Sequence, residues 1–204
     1  MPAQEPRAAP PNTLTLLTGP VASGKSRLAA QLASAWRGPV EVIVTAEARD
    51  EEMRARIERH RTDRPDGWRV VEEPLDLSGS LQRAGSDSFL IVDCLTLWTS
   101  NRMGAGDAGD LVIELAAAAA DVAAQRSAPT VVVTNEVGWG IVPVNDLARA
   151  YRDVLGAVNA AFAHRASRAW LVVAGRVVPL DRPDPSTLLS EASDPSTLLS
   201  ERPA

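Results

Sequence analysis

Gly19-Pro20-Val21-Ala22-Ser23-Gly24-Lys25-Ser26 fits the pattern GxxxxGKS, and its flanks constrain it further. Before it, Leu14, Leu16 and Leu17 with interleaved threonines read as a buried strand over 13–18. After it, Arg27 to Trp36 reads as a helix. Strand, glycine-rich loop and helix in that order are what a phosphate-binding loop requires. The loop's backbone N–H groups converge on one concavity, and the helix dipole favours an anion there. Gly19 and Gly24 let the backbone approach phosphate oxygens where a Cβ would clash. The pattern therefore predicts that Gly19, Pro20, Val21, Ala22, Ser23 and Gly24 wrap a nucleotide's phosphates. Lys25 is expected to reach the β- and γ-phosphates, and Ser26 to bind Mg²⁺.

The remaining apolar runs alternate with helical periodicity. Val40–Ala46 reads as a second strand covered on both faces, and Arg37-Gly38-Pro39 ends the preceding helix. Asp50–Thr62 reads as a helix with acidic residues in its first turn, and Arg64–Gly67 as a turn. Trp68–Glu72 is a short strand, Pro74–Ala84 a short helix and Phe89–Val92 a buried strand. Cys94–Met103 continues as loop or helix up to a glycine-rich break. Asp110–Arg126 is an alanine-rich helix, Thr130–Thr134 a strand, Asn145–Arg165 a long helix and Trp170–Ala174 a strand. Such alternation predicts a three-layer α/β sandwich on a mainly parallel sheet, of the RecA-like kind found in phosphate-loop nucleoside triphosphate hydrolases. At 204 residues one domain is expected, over 13–180. Residues 1–12 hold four prolines and read as a flexible arm. Residues 181–204 carry the octapeptide DPSTLLSE twice, starting at Asp184 and at Asp194, too little for a repeat fold.

In parallel sheets ligands sit beyond the carboxyl ends of the strands, so the polar residues just after each strand matter most. Asp93 follows FLIV and is the expected companion of the phosphate loop on Mg²⁺, the other reading being a helix cap. Glu136 follows Thr130–Thr134. It reads either as a general base toward a substrate hydroxyl or as a turn cap. Trp139, between Gly138 and Gly140, either presents an indole to a flat ligand or packs in the core. Trp98 and Trp139 are both candidates to meet such a ligand. His60 shares a helical face with Met53 and Ile57, and Arg56, Arg59, Arg61 and Arg64 crowd it. It either caps an apolar stripe or, with its protonated form disfavoured among arginines, serves as a nucleophile beside phosphates. His164 reads as a surface residue.

Several segments in this order carry a resemblance: TLLTGPVASGKSRLAAQLA, then VTAEARDEEMRARIERHRTDRPDGWRVVEEP, LIVDCLTLWTSN, VVVTNEVGWGIVPVNDLARAYRDVLGAVNAAFA and WLVVAG. The chain resembles the bifunctional adenosylcobinamide kinase/adenosylcobinamide-phosphate guanylyltransferases of cobalamin biosynthesis, over about residues 13–176. The phosphate loop alone is unspecific. The RIxRHRxxRPxxW and TNEVGWGIVPxNxLAR segments are specific. The resemblance implies phosphorylation of adenosylcobinamide by ATP or GTP, followed by GMP transfer from GTP to the phosphate through a guanylylated histidine, here His60. It also implies GTP contacts on Gly19–Ser26, Val44, Thr45, Ala46, Arg61, Thr62, Asp63, Arg64, Glu72 and Asp93, and a homo-oligomer, trimer or hexamer. Asp93 stands where some members have Glu.

Bulk properties narrow the alternatives. Net charge is −5, so no global basic field attracts nucleic acid or a membrane surface. Cys94 is the single cysteine, which excludes a disulfide frame. No apolar run approaches the roughly 18–20 residues that span a bilayer, and the first residues lack the apolar core of a signal peptide. A cytoplasmic enzyme is expected. The alternative is a phosphate-loop ATPase module driving a macromolecular partner, in which His60 is structural and Glu136 activates water.

Overall fold

Along the first strand Leu14 and Leu16 face one way and Leu17 the other, and both sides are covered. A computed structural model describes residues 13–47, 51 and 65–180. Its strands are β1 Leu14–Thr18, β2 Val40–Val44, β3 Arg69–Glu72, β4 Phe89–Asp93, β5 Thr130–Val133, β6 Arg168–Val173 and β7 Arg176–Pro179. They form one seven-stranded sheet in the order β3-β2-β4-β5-β1-β6-β7. All neighbours are parallel except β7, which runs antiparallel to β6. Among the described residues the helices are α1 Lys25–Ser34, α2 Leu77–Arg83, α3 Leu95–Gly104, α4 Gly109–Ala124 and α5 Asp146–Arg165.

The period-2 alternation of each strand divides the core in two. Leu14, Leu16, Leu90, Val92 and Val132 pack against α2, α3, α4 and α5 through Leu81, Leu95, Ala116 and Phe162. Leu17, Val42, Val44, Ile91 and Val133 face the other way, where Ala29 and Ala33 of α1 lie against them. This is the three-layer arrangement that the alternating pattern predicts. The alanine run of α4 earns its place by size, since Ala116, Ala119, Ala120 and Ala123 are all fully buried.

The described residues correct two expectations. In helix α3, which takes up most of the Cys94–Met103 stretch read as loop or helix, Trp98 is in the core at 1% exposure, its indole N–H donating to Leu75 O at 2.9 Å. It presents no face to a ligand. After Trp170–Ala174, the last strand that the sequence suggests, the chain folds back as a further strand, β7. Its exposed residues and Pro179 give no buried-strand pattern, and proline in a sheet belongs at an edge.

Arg126, at the start of the α4–β5 connection, is a further fixed point. It is 9% exposed. Its Nε donates to Thr130 Oγ1 at 3.1 Å, its Nη1 to Leu81 O and Ala84 O at 3.3 Å, and its Nη2 to Gly85 O at 2.8 Å and Ser88 O at 3.0 Å. One guanidinium thus satisfies the carbonyls that end α2 and begin β4. Arg126→Met keeps the apolar stem and strands those acceptors. It should destabilise the fold by about 3 kcal/mol and lower Tm by roughly 6–12 °C, measured by thermal melting followed by circular dichroism.

Candidate active site

Strand register brings the site together. Leu17 pairs with Val133, Val133 with Asp93, Asp93 with Val44 and Val44 with Glu72, so five strands end at one level. The residues following them share one edge of the sheet.

At the end of β1 the chain turns sharply. Gly19 has φ +141°, and a Cβ there would stand 2.3 Å from Val172 O. Ser23 O accepts from Gly175 N at 2.9 Å, which ties the loop to the β6–β7 turn. Gly24, at φ +103°, is the N-cap of α1, and no side chain caps that helix. The first-turn N–H groups of α1 therefore meet the loop without a side-chain acceptor, as anion binding at a helix N-terminus requires. Lys25 is 5% exposed and curls under the loop. Its ammonium donates to Gly19 O at 2.9 Å, Pro20 O at 2.6 Å and Ser23 Oγ at 3.3 Å.

Ser26 Oγ donates to Asp93 Oδ1 at 3.4 Å across the gap between α1 and β4. An alcohol and a carboxylate are hard oxygen donors, the kind Mg²⁺ takes alongside water and phosphate oxygens. Among the described residues no cluster of three or more His, Cys, Asp or Glu side chains is placed to hold a metal. Thr45, fully buried, braces Asp93 from β2. Its N–H donates to Asp93 O at 3.1 Å. Its hydroxyl donates to Cys94 O at 2.7 Å and accepts from Cys94 N at 2.9 Å, across the cis Asp93–Cys94 peptide. Burial pushes the Cys94 thiol up to about 11, with the Asp93 charge adding to it, so the thiol is no nucleophile at neutral pH.

Glu136 closes the other side of the loop. Its N–H donates to Gly19 O at 3.1 Å. Its Oε1 accepts from Thr18 Oγ1 at 2.7 Å and from Asn159 Nδ2 at 3.1 Å. Neither Thr18 nor Asn159 stands out in the sequence reading. The signal for Asn159 was available, since it is the one polar position in the buried stripe Leu155, Val158, Phe162 of α5.

Lys25, Ser26, Asp93 and Glu136 thus gather around the loop that begins at Gly19, with Thr45 behind Asp93. Val44 is buried and Ala46 half-buried at the end of β2. Glu72 shares the level but not the neighbourhood. It is exposed at the end of β3, four strand positions from β1, or roughly 19 Å at about 4.8 Å per strand. Trp139 is 68% exposed, which removes the core-packing reading. His164 is exposed at the end of α5, as expected. His60, Arg61, Thr62, Asp63 and Arg64 lie outside the described residues.

A family described as cobinamide kinase / cobinamide phosphate guanyltransferase matches residues 15–180. The chain belongs to that family. Membership makes it an enzyme of a class that joins a kinase and a guanyltransferase in one chain. The bifunctional adenosylcobalamin biosynthesis protein CobP of Pseudomonas aeruginosa is 41% identical over 166 residues, 81% of this chain and 95% of that protein. The bifunctional adenosylcobalamin biosynthesis protein CobU of Escherichia coli is 38% identical over 175 residues, 79% of this chain and 96% of that protein. Among solved structures the RadB recombinase is similar at 17% identity and a TM-score of 0.46, covering 79% of this chain and 74% of that one. No helix among the described residues is long and apolar enough to cross a membrane.

Proposed function

We propose that this chain phosphorylates adenosylcobinamide with ATP or GTP and then transfers GMP from GTP to the phosphate, releasing pyrophosphate and forming adenosyl-GDP-cobinamide. The observation that carries the reading is the convergence of Lys25, Ser26, Asp93 and Glu136 on one loop, in a chain of this family. In the first half-reaction the phosphate loop and the start of α1 hold the triphosphate by backbone N–H groups. Lys25 leaves its carbonyl partners for the β- and γ-phosphate oxygens, a short swing within the same concavity. Ser26 and Asp93 would hold Mg²⁺, which supplies charge neutralisation at the phosphates. Glu136 accepts the proton of the corrinoid's aminopropanol hydroxyl as its oxygen attacks the γ-phosphorus.

In the second half-reaction His60 attacks the α-phosphorus of GTP and pyrophosphate leaves; the cobinamide phosphate then takes the GMP from the histidine. A covalent intermediate splits one difficult exchange into two easier ones. Arg61 and Arg64 sit beside His60 in sequence and stabilise charge on the phosphates. Thr62, Asp63 and Glu72 are assigned to GTP on the resemblance alone. Trp139 is assigned to the corrin ring on its exposure and flanking glycines. The working unit is proposed to be a homo-oligomer, trimer or hexamer, acting in the cytoplasm and binding no nucleic acid.

The test is incubation of the full chain with α-phosphate-labelled GTP and Mg²⁺, followed by denaturation and a corrinoid-phosphate chase of a parallel sample. Protein-bound label that is discharged by cobinamide phosphate supports the reading. Steady phosphate release with no covalent label and no corrinoid product replaces it with an ATPase module.

A further inference from the structure

The carboxylate of Glu136 is held by one oxygen only. Thr18 Oγ1 and Asn159 Nδ2 both donate to Oε1, while among the described residues Oε2 receives no hydrogen bond. The two donors are themselves fixed. Thr18 is the last residue of β1 and 4% exposed. Asn159 is 6% exposed on α5, its Oδ1 accepting from Thr134 Oγ1 at 2.6 Å and its Nδ2 also donating to Asn135 O at 3.0 Å. Thr134 is fully buried. The β5–α5 connection is anchored again nearby, where Tyr151 OH donates to Thr96 O at 3.0 Å and Thr96 Oγ1 accepts from Asn135 N at 2.9 Å. Among the described residues Thr18, Thr134, Asn135 and Asn159 of this network are all partnered, and Glu136 Oε2 is the oxygen that receives no donor.

We infer that Thr18 and Asn159 are positioning residues that pin Oε1 of Glu136, leaving Oε2 to take a proton from the acceptor hydroxyl in the kinase half-reaction alone. The inference rests on the function proposed above. The chemistry separates the two halves. An alcohol is a poor nucleophile until its proton is removed, so phosphoryl transfer needs a placed base. The O–H bond breaks toward Oε2, the new O–P bond forms at the γ-phosphorus, and the bond from that phosphorus to the bridging oxygen breaks with the nucleoside diphosphate leaving. A phosphate monoester is already an anionic nucleophile, and an imidazole attacks through a free lone pair. Guanylylation and GMP transfer therefore have no use for this carboxylate. Holding an acceptor by two donors also resists rotation about the terminal torsion of a glutamate, which is otherwise broad.

Thr18→Val removes the hydroxyl and keeps the β-branched shape; Asn159→Asp removes the amide donor and keeps the volume. Each should lower kcat of corrinoid phosphorylation by roughly 10–100-fold. KM for the corrinoid and covalent labelling by α-labelled GTP should stay within about twofold of wild type. Thr18→Ser, which restores the hydroxyl, should recover kinase turnover. Glu136→Gln sets the floor, and Thr18→Val added to it should change nothing further, because both act through one carboxylate. Kinase turnover unchanged in both single variants overturns the inference. So do additive losses on the Glu136→Gln background, or a parallel fall of labelling and phosphorylation in variants that melt like wild type. Absence of both half-reactions in the wild type is a separate result that takes down the proposed function and this inference with it.

Discussion

Full-length protein carrying His60→Ala should keep no label from α-phosphate-labelled GTP after denaturation, while its corrinoid phosphorylation persists. On the proposed mechanism, loss of His60 leaves no route to a covalent guanylate, so labelling should fall at least ~10³-fold. The proposed kinase half uses a different phosphorus and a different nucleophile, and the residues assigned to it are held by contacts among themselves, Lys25 to Gly19 O, Ser26 to Asp93 and Thr18 to Glu136. A phosphorus–nitrogen bond also has its own signature, stable in alkali and cleaved in acid. Label that survives alkaline denaturation of wild type and is released by acid identifies that bond; label retained by the alanine variant assigns the nucleophile elsewhere.

Gly19→Ala should remove nucleotide binding altogether within the range calorimetry can read. The new Cβ would stand 2.3 Å from Val172 O, far inside contact distance, at a backbone φ of +141° that side chains rarely adopt. Val172 is 1% exposed, and β6 is held between β1 and β7, so the strand cannot give way cheaply. The loop must move instead, and with it Gly19 O, which receives both the Lys25 ammonium and the Glu136 N–H. A weakening of at least ~100-fold is expected, about 2.8 kcal/mol. Strain of about 2 kcal/mol in the folded state should also lower Tm by roughly 4–8 °C. Ser23→Ala makes the control, since it keeps the backbone and costs only one 3.3 Å contact to Lys25.

What was legible from sequence is what local chemistry dictates. The phosphate loop announced itself because two glycines, a lysine and a serine must fall at fixed spacing between a strand and a helix. Asp93 and Glu136 were legible because both follow apolar runs, and parallel strands bring such positions to one edge. Glu72, named through the resemblance, ends β3 roughly 19 Å from β1, a separation that a sequence does not reveal because it depends on strand order. Trp98 was misjudged for a related reason. An indole reads the same whether its N–H meets a ligand or the Leu75 carbonyl, and only packing decides. Edge strand β7 lacks the buried alternation by which the other strands were found. Asn159 and Arg126 escaped because their partners lie 23 or more residues away, at Glu136 for the first and at Leu81, Ala84, Gly85 and Ser88 for most bonds of the second.

The Gly175–Ser23 bond gives the far margin of the sheet a share in ligand chemistry. Gly175 has φ +73°, and its Cα would lie 3.5 Å from a Cβ placed on Gly24. The reversal between the last two strands thus works as a buttress for the loop, about 150 residues distant along the polypeptide. A bulky residue or an extra one at that corner would be felt first as a softened triphosphate cradle and only afterwards as a frayed margin.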